Sequence, residues 1–352
     1  MKSYEIAIVP GDGIGKEVIR ESVKVLDAIA AQCGFSFKFT NHDYGCEYYL
    51  KQGKMMPDDG LDRLRDSDSI FLGAVGYPGV PDHVSLWGLL IPIRRTFQQY
   101  VNLRPVRLLD GISSPLKNPG NVDFYIVREN NEGEYSSAGG KIYEGTENEV
   151  VIQESIFTKK GVDKVMKFAF ELSNTRRKKI TSATKSNGII HTMPFWDQRF
   201  QEIGKAYPQV EKNQFHIDIL TAHFVQHPDW FDVVVASNLF GDILSDLGPA
   251  VVGGMGIAAG ANINPERDYP SMFEPVHGSA PDIAGLNIAN PIACFWTAQM
   301  MLDHLGEYEG ANLLMQAIET NIREGEIRTR DLGGKASTQE VTAAIIDKIL
   351  KK

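Results

Sequence analysis

The chain has 352 residues, 43% hydrophobic and 23% charged, with a net charge of −9. That is enough apolar chain to bury the core of a two-domain protein, and it excludes a disordered one. The acidic balance argues against a nucleic-acid partner, although a local group of arginines can still hold a small acid.

Three cysteines, Cys33, Cys46 and Cys294, are odd in number and form no CxxC pair. Neither a disulfide framework nor a zinc ribbon is expected, and a reducing compartment fits. The first residues lack the charged-then-apolar order of a signal peptide. The uncharged stretch 247–265 is broken by five glycines and two prolines, so it reads as a tightly packed, turn-rich segment and not a membrane span. A cytoplasmic protein with no membrane partner is the expectation.

Residues 4–9 read as a strand running into "PGDGIGKE". Residues 16–33 read as an amphipathic helix with Val18, Val25, Leu26 and Ile29 on one face, stopped at Gly34. Strands are expected over 35–40 and 69–75. "NVDFYIVREN", "KKITSATKSN" and "WFDVVVASN" each hold a β-branched or aromatic run that breaks into polar residues. Strands alternating with helices predict a doubly wound α/β sheet, whose ligands collect beyond the carboxyl ends of the strands. Those ends are Gly76, Arg128, Lys185 and the segment from Asn238. Residues 141–157 differ: two short strands without a helix predict a projecting ribbon.

The opening glycines look like a phosphate-binding turn but fail its spacing. A G-x-G-x-x-G motif needs its third glycine where Lys16 stands, and no acid follows about 20 residues on. A P-loop needs one more residue before the Gly-Lys pair. The turn therefore reads as a tight strand-to-helix connection with Asp12 near the helix N-terminus.

"FDVVVASNLFGDILSDLGP" is more informative. Ser237 or Asn238 can cap a helix carrying Asp242 and Asp246, whose i, i+4 spacing puts both carboxylates on one face. Two such acids repel unless a cation lies between them, and hard oxygen donors suit Mg²⁺ or Mn²⁺. Acids on an exposed helix face are also common for no such reason. Asp218 lies in an otherwise apolar helix, where an unpaired buried carboxylate is costly, so a partner is expected.

Arg94, Arg95, Arg104 and Arg128 offer guanidinium forks to carboxylates; singly each reads as a surface ion pair, and only convergence gives them a site. Lys185 ends a strand, and Tyr135 lies in a loop seven residues after Arg128. The segment 273–291 combines Gly278 and Gly285 turns, three prolines, His277 and Asn290 in a long ordered loop, and such loops are usually functional.

These segments, from "PGDGIG" to "DLGGKAST", resemble the β-decarboxylating dehydrogenases, the isocitrate and isopropylmalate dehydrogenase family, along the whole chain. "SNLFGDILSD" and "EPVHGSAPDIAG" carry the resemblance most specifically; "SLWGLLIPIRR", "VRENNEGEYSS" and "TSATKSNG" resemble its tartrate and D-malate branch. The resemblance implies two domains around a cleft in a fold that is not a true Rossmann fold. Residues 1–100 with 254–352 would hold the cofactor, and 101–253 the substrate, metal and dimer contacts. It implies that Arg94, Arg104 and Arg128 bind a 2-hydroxy diacid, with Trp87 and Leu90 lining its pocket. Asp218, Asp242 and Asp246 would bind Mn²⁺ or Mg²⁺; Lys185 would be the base and Tyr135 the acid. Asp218 and Lys185 would reach across a homodimer.

For NAD the resemblance implies Gly76, Asn187, Glu274, His277, Gly278, Ser279, Ala280, Asp282, Ile283, Asn290 and Asp331. NADP-using relatives carry a lysine and a tyrosine where Asp282 and Ile283 stand, and an acid there repels a 2′-phosphate. Whether a monovalent cation such as K⁺ is needed stays open. The bulky run 87–93 has no partner for an additional carboxylate, so a four-carbon diacid is expected: D-malate to pyruvate and CO₂, or tartrate. 3-Isopropylmalate oxidation is the alternative within the family. A silent regulatory subunit would lack a metal aspartate, the lysine or the tyrosine; all five stand here.

Overall fold

The computed structural model describes residues 2–351. The amino-terminal half of the chain supplies β1 (Lys2–Gly11), α1 (Gly15–Cys33), β2 (Phe35–Asn41), α2 (Cys46–Gln52), α3 (Gly60–Arg65), β3 (Ser69–Ala74), α4 (Asp82–Ser85) and α5 (Ile91–Thr96). Between α4 and α5 the backbone makes a π-helical turn, Leu86–Leu90. Next come β4 (Val101–Arg107), β5 (Asp123–Glu129), β6 (Gly139–Ile142), β7 (Val150–Gln153), α6 (Lys159–Thr175), β8 (Lys179–Thr184), α7 (Thr192–Gly204), β9 (Glu211–His216) and α8 (Ile217–Gln226). The chain ends with β10 (Val233–Ala236), α9 (Asn238–Val251), β11 (Ala259–Ile263), β12 (Ser271–Pro275), α10 (Ile292–Leu305), α11 (Tyr308–Glu324) and α12 (Thr338–Leu350).

Ten strands form one sheet in the order β2-β1-β3-β12-β11-β4-β5-β10-β8-β9. The local signals behave as expected. Gly34 ends α1 at φ 78, returning its N–H to Ala30. Ser237 caps α9 through its side chain, which accepts from the Phe240 N–H.

The expected doubly wound sheet is present, but it is mixed at its centre. β4 runs antiparallel to both β5 and β11, and β11 antiparallel to β12. This seam places Asn102 opposite both Arg128 and Asn262. Helices cover both faces, which is why the inner strands are apolar without alternation. On β10, Val233 and Val235 join the core under α1, α6 and α10. Val234 and Ala236 face α8 and α9. A third cluster packs α2, α3 and α5 on β1 and β3.

The segment 247–265 is packed as expected, although its second half is strand β11 and not turn. The ribbon lies slightly earlier than expected, as an antiparallel pair β6–β7 exposed along its length. Among the described residues no helix is long and apolar enough to cross a membrane.

Candidate active site

The arginines converge. α5 carries Arg94, β4 carries Arg104 and the end of β5 carries Arg128, and all three are buried. Opposite them, one face of α9 presents Asp242 and Asp246. Arg128 pairs with Asp242, and its Nε and Nη2 donate to Asn238 Oδ1 at 3.0 and 2.8 Å. Arg104 lies 3.7 Å from Asp246. The Tyr135 hydroxyl donates to the other Asp242 oxygen at 2.8 Å. α9 can approach β5 this closely because Gly241 lacks a side chain: a Cβ there would stand 2.6 Å from the Arg128 side chain.

Behind the arginines lies a polar network that pattern reading does not reveal. Asn262 Nδ2 donates to Glu274 at 2.7 Å, and Glu274 accepts from Arg94 at 2.8 Å. Asn262 Oδ1 accepts from Asn102 and Asn130, both at 2.9 Å, and Asn102 accepts from Arg104 Nε at 2.9 Å. Asn262 thus links two of the three arginines from within the core. Asparagines at 102 and 262 inside apolar strands were the available signal, since strands disfavour them unless paired.

The electrostatics follow from this crowding. Burial pulls the Arg128 guanidinium down to about 10, while Asp242 beside it opposes the shift, so it stays charged at neutral pH. Burial disfavours the Asp242 carboxylate, but Arg128 and the Tyr135 hydroxyl outweigh it and hold the group below its ordinary range. Glu274 behaves likewise against Arg94. Asp246, with burial dominant, is raised. Burial and then Asp242 raise Tyr135, keeping its hydroxyl protonated.

Lys185 and Asp218 lie apart from this group. They pair with each other at 3.1 Å, and the Asp218 side chain is 67% exposed. The expectation of a partner for Asp218 holds, but its burial does not: the residue begins α8, where its carboxylate faces solvent. Among the described residues no three His, Cys, Asp or Glu side chains gather around a common point. The carboxylates of Asp242 and Asp246 are hard donors on one face of α9 and suit a divalent ion.

The opening turn holds the 273–291 loop, and on its other side Pro10, Gly11, Asp12 and Lys16 line a cavity shared with Tyr44, Glu47 and Lys51. The Ile14 N–H donates to Ser279 O at 2.8 Å, and Glu17 accepts from the Gly285 N–H. Asp12 is wholly buried, but its carboxylate serves α2 and not α1. It accepts from the backbone N–H groups of Cys46 at 2.9 Å and Gly76 at 3.0 Å. Gly76 in turn lies against Ser279.

Asn290 donates to Asp331 at 2.8 Å and accepts from the Ile292 N–H. Burial lowers His277, whose Nε2 is buried without a partner. Gly278 and Asp282 are exposed, Ala280 and Ile283 lie partly buried against the core, and Asn187 is exposed in the turn after β8. Glu274, expected at the cofactor, is buried and accepts from Arg94. Trp87, 37% exposed, and Leu90, half-buried, sit on the π-helical turn.

A ten-stranded mixed sheet, with buried arginines from α5, β4 and β5 facing the acids of α9 and a loop tyrosine, suits an α/β enzyme for a small acid. The Isocitrate/isopropylmalate dehydrogenase family profile matches residues 5–348, and the chain belongs to that family of dehydrogenases. It is 56% identical to the D-malate dehydrogenase [decarboxylating] of Escherichia coli (strain K12), covering 100% of both chains. It is 55% identical to the tartrate dehydrogenase/decarboxylase of Pseudomonas putida, covering 99% of this chain and 98% of the relative. The crystal structure of isocitrate dehydrogenase from Methylococcus capsulatus superposes with a TM-score of 0.88 at 32% identity, over 98% of this chain and 99% of that one.

Proposed function

We propose that this chain oxidises a four-carbon 2-hydroxy diacid with NAD and Mn²⁺ or Mg²⁺, converting D-malate to pyruvate and CO₂ or acting on tartrate. The observation that carries the reading is the convergence of three buried arginines on two carboxylates and a tyrosine. Relatives named for D-malate and tartrate support it. Trp87 and Leu90, on the π-helical turn that leads into α5 and Arg94, are taken in this reading to line the diacid pocket.

In this reading Arg94, Arg104 and Arg128 grip the two carboxylates of the diacid. Asp242 and Asp246, with Asp218 of a second copy, would hold the divalent ion, which when bound would supply Lewis acidity to the diacid. Lys185 of that second copy takes the hydroxyl proton, and the Tyr135 hydroxyl protonates the enolate left after decarboxylation. Asp282 would accept from the ribose hydroxyls of NAD. The division into a cofactor half, 1–100 with 254–352, and a substrate half, 101–253, belongs to the same reading.

A homodimer is supported by exposed apolar side chains on several elements: Ile142, Val151 and Ile152 on the ribbon, Ile190 near Lys185, Ile219 on α8 and Ile243 on α9. The test is steady-state reduction of NAD by the purified protein with Mn²⁺. D-malate or a tartrate isomer is expected to give the highest kcat/KM, with activity abolished by chelator. A faster reaction with 3-isopropylmalate would sink the proposal.

A further inference from the structure

Arg95 follows Arg94 on α5 and has no role in the reading above. Its half-buried side chain makes two contacts. One guanidinium nitrogen donates to the main-chain oxygen of Tyr135 at 2.7 Å. The guanidinium also lies over the Trp87 ring, 5.1 Å from its centroid. We propose that Arg95 is a positioning residue that fastens the Tyr135 loop to the π-helical turn, holding the Tyr135 hydroxyl where the enolate forms. The inference rests on the proposed function for its chemistry and on geometry for the tie itself.

The rest of that loop is anchored from the other side. Glu129 accepts from the Asn131 and Glu132 N–H groups at 2.8 and 3.0 Å. Glu134 accepts from Ser237 Oγ at 2.8 Å and the Leu239 N–H at 3.1 Å. Gln153 donates to Ser136 O at 3.0 Å. These bonds come from β5, β7 and the start of α9. Arg95 adds a tie from α5, braced on Trp87 of the π-helical turn, at the tyrosine's own peptide. An arginine suits this place because its planar fork can stack on an indole and donate in its own plane at once; an ammonium can do only one of these well.

The consequence concerns the second half of the reaction. After hydride has left C2 for NAD, the C3–C4 bond breaks, CO₂ departs, and the bonding pair remains as the enolate. The Tyr135 hydroxyl gives its proton to C3, and the phenolate beside Arg128 recovers a proton from water. A displaced tyrosine slows this stage without touching the arginines that bind the diacid, so the keto diacid escapes before it decarboxylates.

Two measurements test this on Arg95→Met and Arg95→Lys. Without any ligand, hydrogen exchange across 130–138 is expected to rise about tenfold in Arg95→Met, the effect of losing one charged hydrogen bond, with little change elsewhere. With D-malate, Mn²⁺ and NAD, the share of oxidised substrate released as oxaloacetate is expected to rise about tenfold. Arg95→Lys should fall between wild type and Arg95→Met in both, and it serves alone if Arg95→Met does not fold. Unchanged exchange, or an unchanged product ratio with kcat and KM falling together, overturns the role. A wild type inert towards D-malate and tartrate overturns the proposed function instead, and the exchange measurement then decides the tie on its own.

Discussion

Replacing Gly13 by alanine tests what the glycine-rich opening turn is for. Gly13 has φ +54, and a Cβ there would fall 2.0 Å from Ser279 O and 2.8 Å from its carbonyl carbon. The left-handed backbone costs alanine about 1 kcal/mol. Pushing Ser279 away also breaks the bond it accepts from the Ile14 N–H, worth about 1 kcal/mol more. A total of about 2 kcal/mol lowers the melting temperature of a chain this long by about 3 °C. The functional effect should be selective. Ser279 moves with the candidate cofactor loop, while Arg94, Arg104 and Arg128 are untouched. The KM for NAD is therefore expected to rise about tenfold with little change in the KM for the diacid, read by varying each at saturation of the other. A Gly13→Ala protein with wild-type melting and a wild-type KM for NAD would refute the clamp.

Two further predictions concern pH and assembly. Burial pushes the Glu129 carboxyl from its ordinary 4.5 to about 7, against the backbone N–H groups that favour its ionised form. Between those values the folded chain keeps a proton that the unfolded chain has released, so stability falls as pH rises from 4.5 to 7 and is level above. Glu129→Gln should flatten that fall by about 1–3 kcal/mol, measured as the difference in urea unfolding between pH 5 and pH 8; an unaltered pH profile would count against it. Val151→Asp puts a charge on a ribbon residue that is 64% exposed in the single chain. If the ribbon joins two copies, light scattering will report a monomer, and activity will fall with it because Lys185 and Asp218 no longer reach a second site. A dimer that survives the substitution would place the interface elsewhere.

The family resemblance was legible because its motifs are local. The strand before Asn238, the Ser237 cap, and the one-faced spacing of Asp242 and Asp246 all follow from interactions within a few residues, and each stands where the pattern put it. The π-helical turn was not legible: "LWGLL" is an apolar run compatible with an ordinary helix, and the extra residue per turn is settled by packing. Asp12 was placed at the nearest helix in sequence, whereas its carboxylate reaches a helix 34 residues on. Nor was the contact between Glu274 and Arg94 legible, since it joins a strand and a helix 180 residues apart.

By itself the sequence determined β1, α1 with its Gly34 stop, β2, β3, the runs that became β5, β8 and β10, and the cap of α9, since short-range sterics and periodicity decide those. Only the tertiary structure decided which of those side chains meet. Arg128 and Asp242 are 114 residues apart, and it is the parallel pairing of β10 with β5, which sets Ala236 opposite Arg128 just before α9, and the bare backbone of Gly241 that bring them together. The same reasoning applies to the glycine-rich turn at the start of the chain. Its composition suggested a phosphate cradle, but its hydrogen bonds show a brace for a loop more than 260 residues further on. Such pairings depend on sheet order and close approach, which no spacing along the chain records.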